Sequence, residues 1–314
     1  MAEQPAGPAQ LVLLASVARR YYLDGRSKVE IADEFGLSRF KVARLLDAAR
    51  DSGLVRIEIR NEGIVDLDLS ARFRETFGLQ HAIVVDAPDD PAHLRQQLGR
   101  ATGELLGEVV TSHDVLGLAW ARSVSAMGSA LPPLPAVPVV QLTGALSLPD
   151  AGHSSIDLVR DVARVTGGPA YVFYAPFSVS DAVTARALRQ QPEIARAFAQ
   201  LPRVTKAVAA LGMWVHGEST LYDAADVDDQ VALHQQGVCA EISGVFLTTD
   251  GEPVTTQLGE RMIGIDAEQM RAIPEVIVIA YGAAKARALH AALQSGLVGG
   301  LVTHTALAEA LLEA

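Results

Sequence analysis

Apolar residues recur at helical spacing at Leu11, Leu14, Val17, Ala18 and Tyr21 or Tyr22, which predicts a first helix. Two shorter periodic runs follow in SKVEIADEFGLSRFKVARLLDAAR, residues 27 to 50, with Gly36 and Leu37 between them. Ser27 and Ser38 stand where each run needs an N-cap, and Gly36 can take the positive φ that ends the first. Ala32 permits close helix approach, Leu37 plugs the corner, and Val42, Leu45 and Leu46 face inward. This set predicts a helix-turn-helix within a three-helix core. Gly53 stops the last helix, and LVRIEIR over 54–60 alternates apolar with charged like a half-exposed strand at the edge of a wing. Residues 11–60 therefore read as one small winged domain, and Leu67, Leu69, Phe73 and Phe77 as an amphipathic connector helix within 61–80, ending at Gly78.

From His81 the rhythm changes. Short branched runs (AIVV, DVLGLA, AVPVVQL, AYVFY, KAVAAL, GVFL, EVIVIA and GGLVTH) alternate with helical stretches. The alternation predicts an α/β domain over 81–314 with a doubly wound, mainly parallel sheet. In such sheets ligands sit outside the carboxyl ends of the strands, so the loops after the strands are where chemistry is sought.

Charge supports the two-part division. Between Arg19 and Arg60 ten basic residues face seven acidic ones, a local +3, whereas the remainder of the chain carries −14 of the total −11. Nucleic-acid binding needs a local positive field, and the acidic body does not offer one. The longest uncharged run, Ser123 to Pro149, holds five prolines and cannot be a continuous membrane helix. MAEQPAGPAQ lacks the basic start and apolar core of a signal peptide and reads as a disordered tail, which suggests a cytoplasmic chain without a membrane partner. The single Cys239 excludes an internal disulfide framework and a cysteine-based zinc site.

A helix beginning at Ser38 and entering the major groove by its N-terminal turns would offer Ser38, Arg39, Lys41 and Arg44 to base edges and phosphates. Lys28 and Arg26 could hold the backbone. The competing reading is a small helical subdomain with a solvated charged face.

The chain resembles the SorC-type sugar-binding transcriptional regulators over residues 11 to 312. The stretch YYLDGRSKVEIADEFGLSRFKVARLLDAARDSGLVRIEI carries the likeness to that family's DNA-binding domain. DVLGLAWARSV, VVQLTGAL, YAPF, GVCAEISGVFLTTDGEPV, IAYGAAKARALHAAL and GLVTHTALAEALL carry it through the body in order. The resemblance implies a sensor related in fold to sugar-phosphate isomerases and deaminases, binding a phosphorylated sugar. It also implies a homodimer or homotetramer acting on pseudo-palindromic operator DNA as a repressor of carbohydrate metabolism genes.

Candidate effector residues lie at predicted strand ends. Gly117, Trp120, Arg122 and Ser123 span a strand-to-helix turn whose free N–H groups would favour an anion. Ala121 and Ser123 stand where the family pattern has Gly and Thr, and Ala121 narrows the room for close phosphate approach. The same turn could instead be an ordinary one with a buried Trp120. Gln141 and Thr143, at the next strand end, could bond sugar hydroxyls. Glu241 matches a typically acidic family position and could accept from two vicinal hydroxyls, or be a plain surface acid. Lys285, in the first turn of a helix after EVIVIA, could reach a phosphate; Tyr281 and Gly282 stand there in place of the family's two glycines.

Other chemistries lack a starting point. The eight histidines include no pair at i,i+4, so no metal site is expected. The acids Asp223, Asp226, Asp228 and Asp229 lack the EF-hand glycine and closing glutamate and read as a solvated loop with Asp228 capping a helix. A nucleophile elbow, a Walker loop and a dinucleotide fingerprint are all missing, so no cofactor is expected. A Schiff base in the body would have to use Lys206 or Lys285. The alternative function is a sugar-phosphate isomerase or deaminase-like enzyme with a fused DNA-binding domain, with Glu241 as the base; the sequence favours a sensor with no catalytic residues.

Overall fold

The computed structural model describes residues 7–56, 64–88, 90–146 and 154–313. The chain divides into two compact units, 1–60 and 61–314.

In the first unit, α1 (Pro8–Tyr22), α2 (Lys28–Phe35) and α3 (Arg39–Asp51) enclose a core of Leu14, Val17, Ile31, Ala32, Val42, Leu45, Leu46 and Ala49. Pro8, in the first turn, needs no intrahelical N–H partner and presets φ for α1. Residues 8–10 of the expected tail are therefore helical. Ser27 caps α2 in a capping box with Glu30, and Gly36 closes it at φ 65°. Ser38 caps α3 by accepting from the Lys41 N–H at 3.2 Å. Leu54 to Arg56 form no strand, and the rest of the predicted wing strand, 57–60, lies outside the described residues.

The second unit opens with β1 (Val65–Asp66) and α4 (Leu67–Phe77), followed by β2 (His81–Val85), α5 (Pro91–Val109), β3 (Leu116–Leu118) and α6 (Arg122–Gly128). β4 (Val139–Gln141), α7 (Ser155–Thr166), β5 (Ala170–Tyr171), β6 (Lys206–Met213), β7 (Val238–Ile242), β8 (Val245–Thr248), β9 (Glu275–Ile279) and β10 (Gly300–His304) complete the named elements. The sheet runs β1-β2-β10-β9-β6-β3-β4-β5, and every pairing along it from β2 to β5 is parallel.

Successive strand residues point to opposite faces, so each strand feeds two cores. Ala207, Ala209, Val276, Val278 and Leu301 pack with α4 and the helices Ala286–Gln294 and Thr305–Leu312. Val208, Ile277, Ile279 and Val302 pack with α5, α6 and α7. The stretch expected to be a connector is part of this body, because Phe73 of α4 is wholly buried in the first of those cores.

Two strand assignments change. GVFL does not continue the parallel sheet: β7 and β8 form an antiparallel hairpin attached to the second half of β6. Its two-residue turn places Ser243 at φ 53° and Gly244 at φ 92°, as a tight turn matched to strand twist requires. AYVFY pairs only through Ala170 and Tyr171, because Phe173 turns into a separate cluster with Ile194 and Ile263. Among the described residues no helix is long and apolar enough to cross a membrane, and no cluster of His, Cys, Asp and Glu could hold a metal ion.

Candidate functional site

β6 builds the site because it belongs to two sheets. Its first half, Lys206 to Ala210, lies parallel between β3 and β9, and Leu211 to Met213 then pair with β7. The hairpin is thereby set over the carboxyl ends of β3, β6 and β9. A solvent-open cleft lies there, lined by Trp120, Arg122, Ser123, Gly212, Glu218, Ser219, Glu241, Ser243, Tyr281 and Lys285 among others.

Glu241 lies at the cleft with only 7% of its surface exposed. One carboxylate oxygen accepts from the Ser219 hydroxyl at 3.0 Å, the other from the Gly244 N–H at 3.0 Å. Burial pushes its pKa up, against the lowering effect of those hydrogen bonds and the Lys285 charge. Gly212, opposite Glu241 in the β6–β7 register, gives the side chain its room: a Cβ there would lie 2.2 Å from Oε1. Lys285 is also 7% exposed. Its Nζ stands 3.5 Å from Glu218, donates to the Leu211 carbonyl at 3.4 Å and lies 5.3 Å from the Tyr281 ring centre. Burial pulls its pKa down, partly opposed by Glu218 and Glu241, while nearby Arg122 adds to the lowering. One buried carboxylate, two cations and the acids Glu218 and Asp223 thus line the cleft.

Of the residues expected here, Trp120, Arg122, Ser123, Glu241 and Lys285 come together. Gly117, Gln141 and Thr143 do not line the cleft. Gly117 is a packing glycine whose Cβ would lie 2.9 Å from both Leu142 and Val204. Gln141 serves the interior: its amide donates to the Thr143 carbonyl and Ser155 hydroxyl, and its carbonyl accepts from the Phe173 N–H. Thr143 is 1% exposed, and its hydroxyl accepts from the Trp120 N–H at 3.5 Å. Lys285 closes a 3₁₀ turn, Ala283–Lys285, ahead of the helix rather than inside its first turn. Ala121 is extended at φ −158°, a conformation any residue adopts, so it strains nothing; of the family's glycine pair it is Gly282, at φ 93°, that occupies the left-handed region. Ser219, Gly212 and Glu218 went unnoticed because each matters only through β6–β7 pairing and the loop beyond β6.

Among the four acids of YDAADVDD, Asp223 accepts from the Gly217 N–H at 2.9 Å and lines the cleft, whereas Asp229 pairs with Arg261. The helix cap falls at Asp226, and Asp228 sits in the first turn. Lys206 lies at the opposite end of β6, bonded to Glu275, so Lys285 is the cleft's amine.

In the first unit Arg39, Lys41 and Arg44 are exposed along α3, and its first turn contains no acid. Ser38 is engaged as the cap. Lys28 lies 5.7 Å from the Tyr21 ring centre, while Arg20 and Arg26 are both neutralised by Glu34.

Comparison with known proteins matches nearly the whole chain. Residues 62–313 match the family model described as "Putative sugar-binding domain". The transcriptional regulator YjhU of Escherichia coli K12 is 31% identical over 302 residues, 93% of this chain and 92% of that protein. The transcriptional regulator LsrR of Klebsiella pneumoniae is 27% identical over 311 residues, 97% and 94% of the two chains. The full-length sorbitol operon regulator SorC from Klebsiella pneumoniae has the same fold, with TM-score 0.73 at 22% identity over 98% of this chain and 100% of that one. Its relatives are regulators, which removes the expectation of an isomerase-like enzyme as the alternative. The chain belongs to the SorC-type sugar-binding transcriptional regulators, with a helical unit ahead of a sugar-binding α/β domain.

Proposed function

We propose that this regulator is a homo-oligomeric repressor whose operator affinity is set by a phosphorylated sugar in the cleft. The observation that carries the reading is the convergence of Glu241 with Arg122 and Lys285. A buried carboxylate accepts from vicinal hydroxyls, and paired cations offer charge-assisted bonds to a phosphate. Ser123, Ser219 and Trp120 complete the wall: hydroxyls for bonding and an indole face for the sugar ring. Glu218 faces Lys285 at 3.5 Å, and a phosphate would compete with it for that amine.

On the DNA side, Arg44 would read base edges, Arg39 and Lys41 would hold phosphates, and Lys28 and Ser38 would support them at the backbone. A dimer presenting two such units fits a pseudo-palindromic operator. By linkage, a sugar relieves repression only if it binds the DNA-free arrangement more tightly than the DNA-bound one.

Thermal unfolding of the full chain against a panel of sugars and their phosphates tests the reading. Phosphorylated sugars should raise the midpoint more than their neutral parents, and Lys285→Met should erase that difference while leaving a smaller response to the sugar. Stabilisation by neutral sugars alone would overturn the phosphate assignment.

A further inference from the structure

Phe40 is 81% exposed, more than any other large apolar side chain among the described residues. It sits in the first turn of α3. At about 100° per residue, the buried Val42, Leu45, Leu46 and Ala49 define the inner side of this helix, and Phe40 falls at the middle of the opposite side. Arg44 lies one turn further along the same line. Arg39 and Lys41 stand on either flank. The pattern is an aromatic ring framed by three cations, with the nearest outward acid, Asp47, two turns away and paired with Arg50.

A phenylalanine so exposed has no packing role in its own unit. Its neighbours attract polyanions, so the surface that covers it carries phosphates on either side and an apolar group at the centre. The major groove offers that combination: two phosphate ridges with base edges between them, among which the thymine 5-methyl group is apolar. We infer that Phe40 is a specificity-determining residue that packs on a thymine methyl in the operator, while Arg39 and Lys41 hold the two flanking backbones. The inference rests on α3 being the DNA-reading helix.

The test starts from the full-length protein and a pool of random duplex DNA, from which preferred sites are selected. Each thymine of the selected site is then replaced by deoxyuridine, which deletes the methyl group and leaves every hydrogen bond intact. At one thymine per half-site the wild-type protein should lose about fourfold in affinity, the effect of returning one methyl to water. Phe40→Ala should bind the thymine and deoxyuridine sites equally, and selection with this variant should no longer enrich that thymine. Circular dichroism and melting of Phe40→Ala should match wild type, because the side chain touches no core.

Equal deoxyuridine effects in the two proteins, or none in either, would overturn the assignment of Phe40 and leave α3 as the reader. A uniform loss of affinity in Phe40→Ala, the same on both DNAs, would also overturn it, pointing to a ring wedged between base pairs. Failure of the wild-type protein to select any sequence would instead remove the DNA-reading assignment of α3 itself.

Discussion

At the scale of single residues, Gly212 governs the sensor more directly than any group that would touch the ligand. Its missing Cβ is the space in which Oε1 of Glu241 lies. In Gly212→Ala the carboxylate must leave its place beside Ser219, and overpacking costs about 1–3 kcal/mol of stability. Binding of whichever sugar phosphate stabilises wild type should weaken by about 1.5–3 kcal/mol, the usual range for a hydrogen bond to a charged group. Titration calorimetry beside thermal unfolding checks both numbers, and unchanged ligand affinity would mean that Glu241 does not contact the ligand. Glu241 was legible through the family resemblance, and Lys285 through its place after the apolar run EVIVIA. Gln141 also stands at a strand end, but the structure turns it inward, since a polar residue there satisfies backbone groups as readily as a ligand. Spacing along the chain does not separate the two uses; burial with three internal hydrogen bonds does.

At the scale of elements, local chemistry was the readable part. Ser27, Gly36 and Ser38 mark the ends of α2 and α3 because caps act over three or four residues, within reach of sequence pattern. Ser27→Ala should therefore cost about 1 kcal/mol, seen as faster amide hydrogen exchange in residues 28–35 with little change in the body. Exchange that stays unaltered would show the capping box to be dispensable. The β7–β8 hairpin was not readable. Its apolar run looks like another parallel strand, and what turns it back is the positive-φ pair Ser243–Gly244 together with docking on the far half of β6. AYVFY failed for a related reason: a run rich in β-formers pairs only as far as its neighbour extends, and β4 is three residues long.

At the scale of the whole molecule, the body is tied at both ends of its central strands. Below the sheet, opposite the cleft, Glu275 is 2% exposed and accepts from Lys206 at 2.8 Å and from His81 at 2.5 Å. Burial alone would raise its pKa; the hydrogen bonds and charges of Lys206 and His81 outweigh that and hold it below the ordinary carboxylate range. A depressed folded-state pKa gives stability that is present above the unfolded value and lost as pH falls through the folded one, so the contribution of Glu275 should fade only under acid. Lys206→Met leaves the buried carboxylate with His81 as its one remaining side-chain partner and should cost up to about 3 kcal/mol at neutral pH. Without the lysine that carboxyl is easier to protonate, so the deficit should shrink as the medium is acidified. Urea unfolding of both proteins at neutral and acidic pH measures it, and a deficit independent of pH would refute the assignment. The β6–β7 register, finally, constrains how such a sensor can diversify. A one-residue insertion in β7 would swing Glu241 to the other face of the hairpin and abolish recognition at a stroke. Substitutions at Trp120, Glu218 or Tyr281 reshape the mouth and leave the acid where it is. Descendants of this chain would thus acquire new effectors by small changes around a fixed point, and lose sensing altogether by a single change in frame.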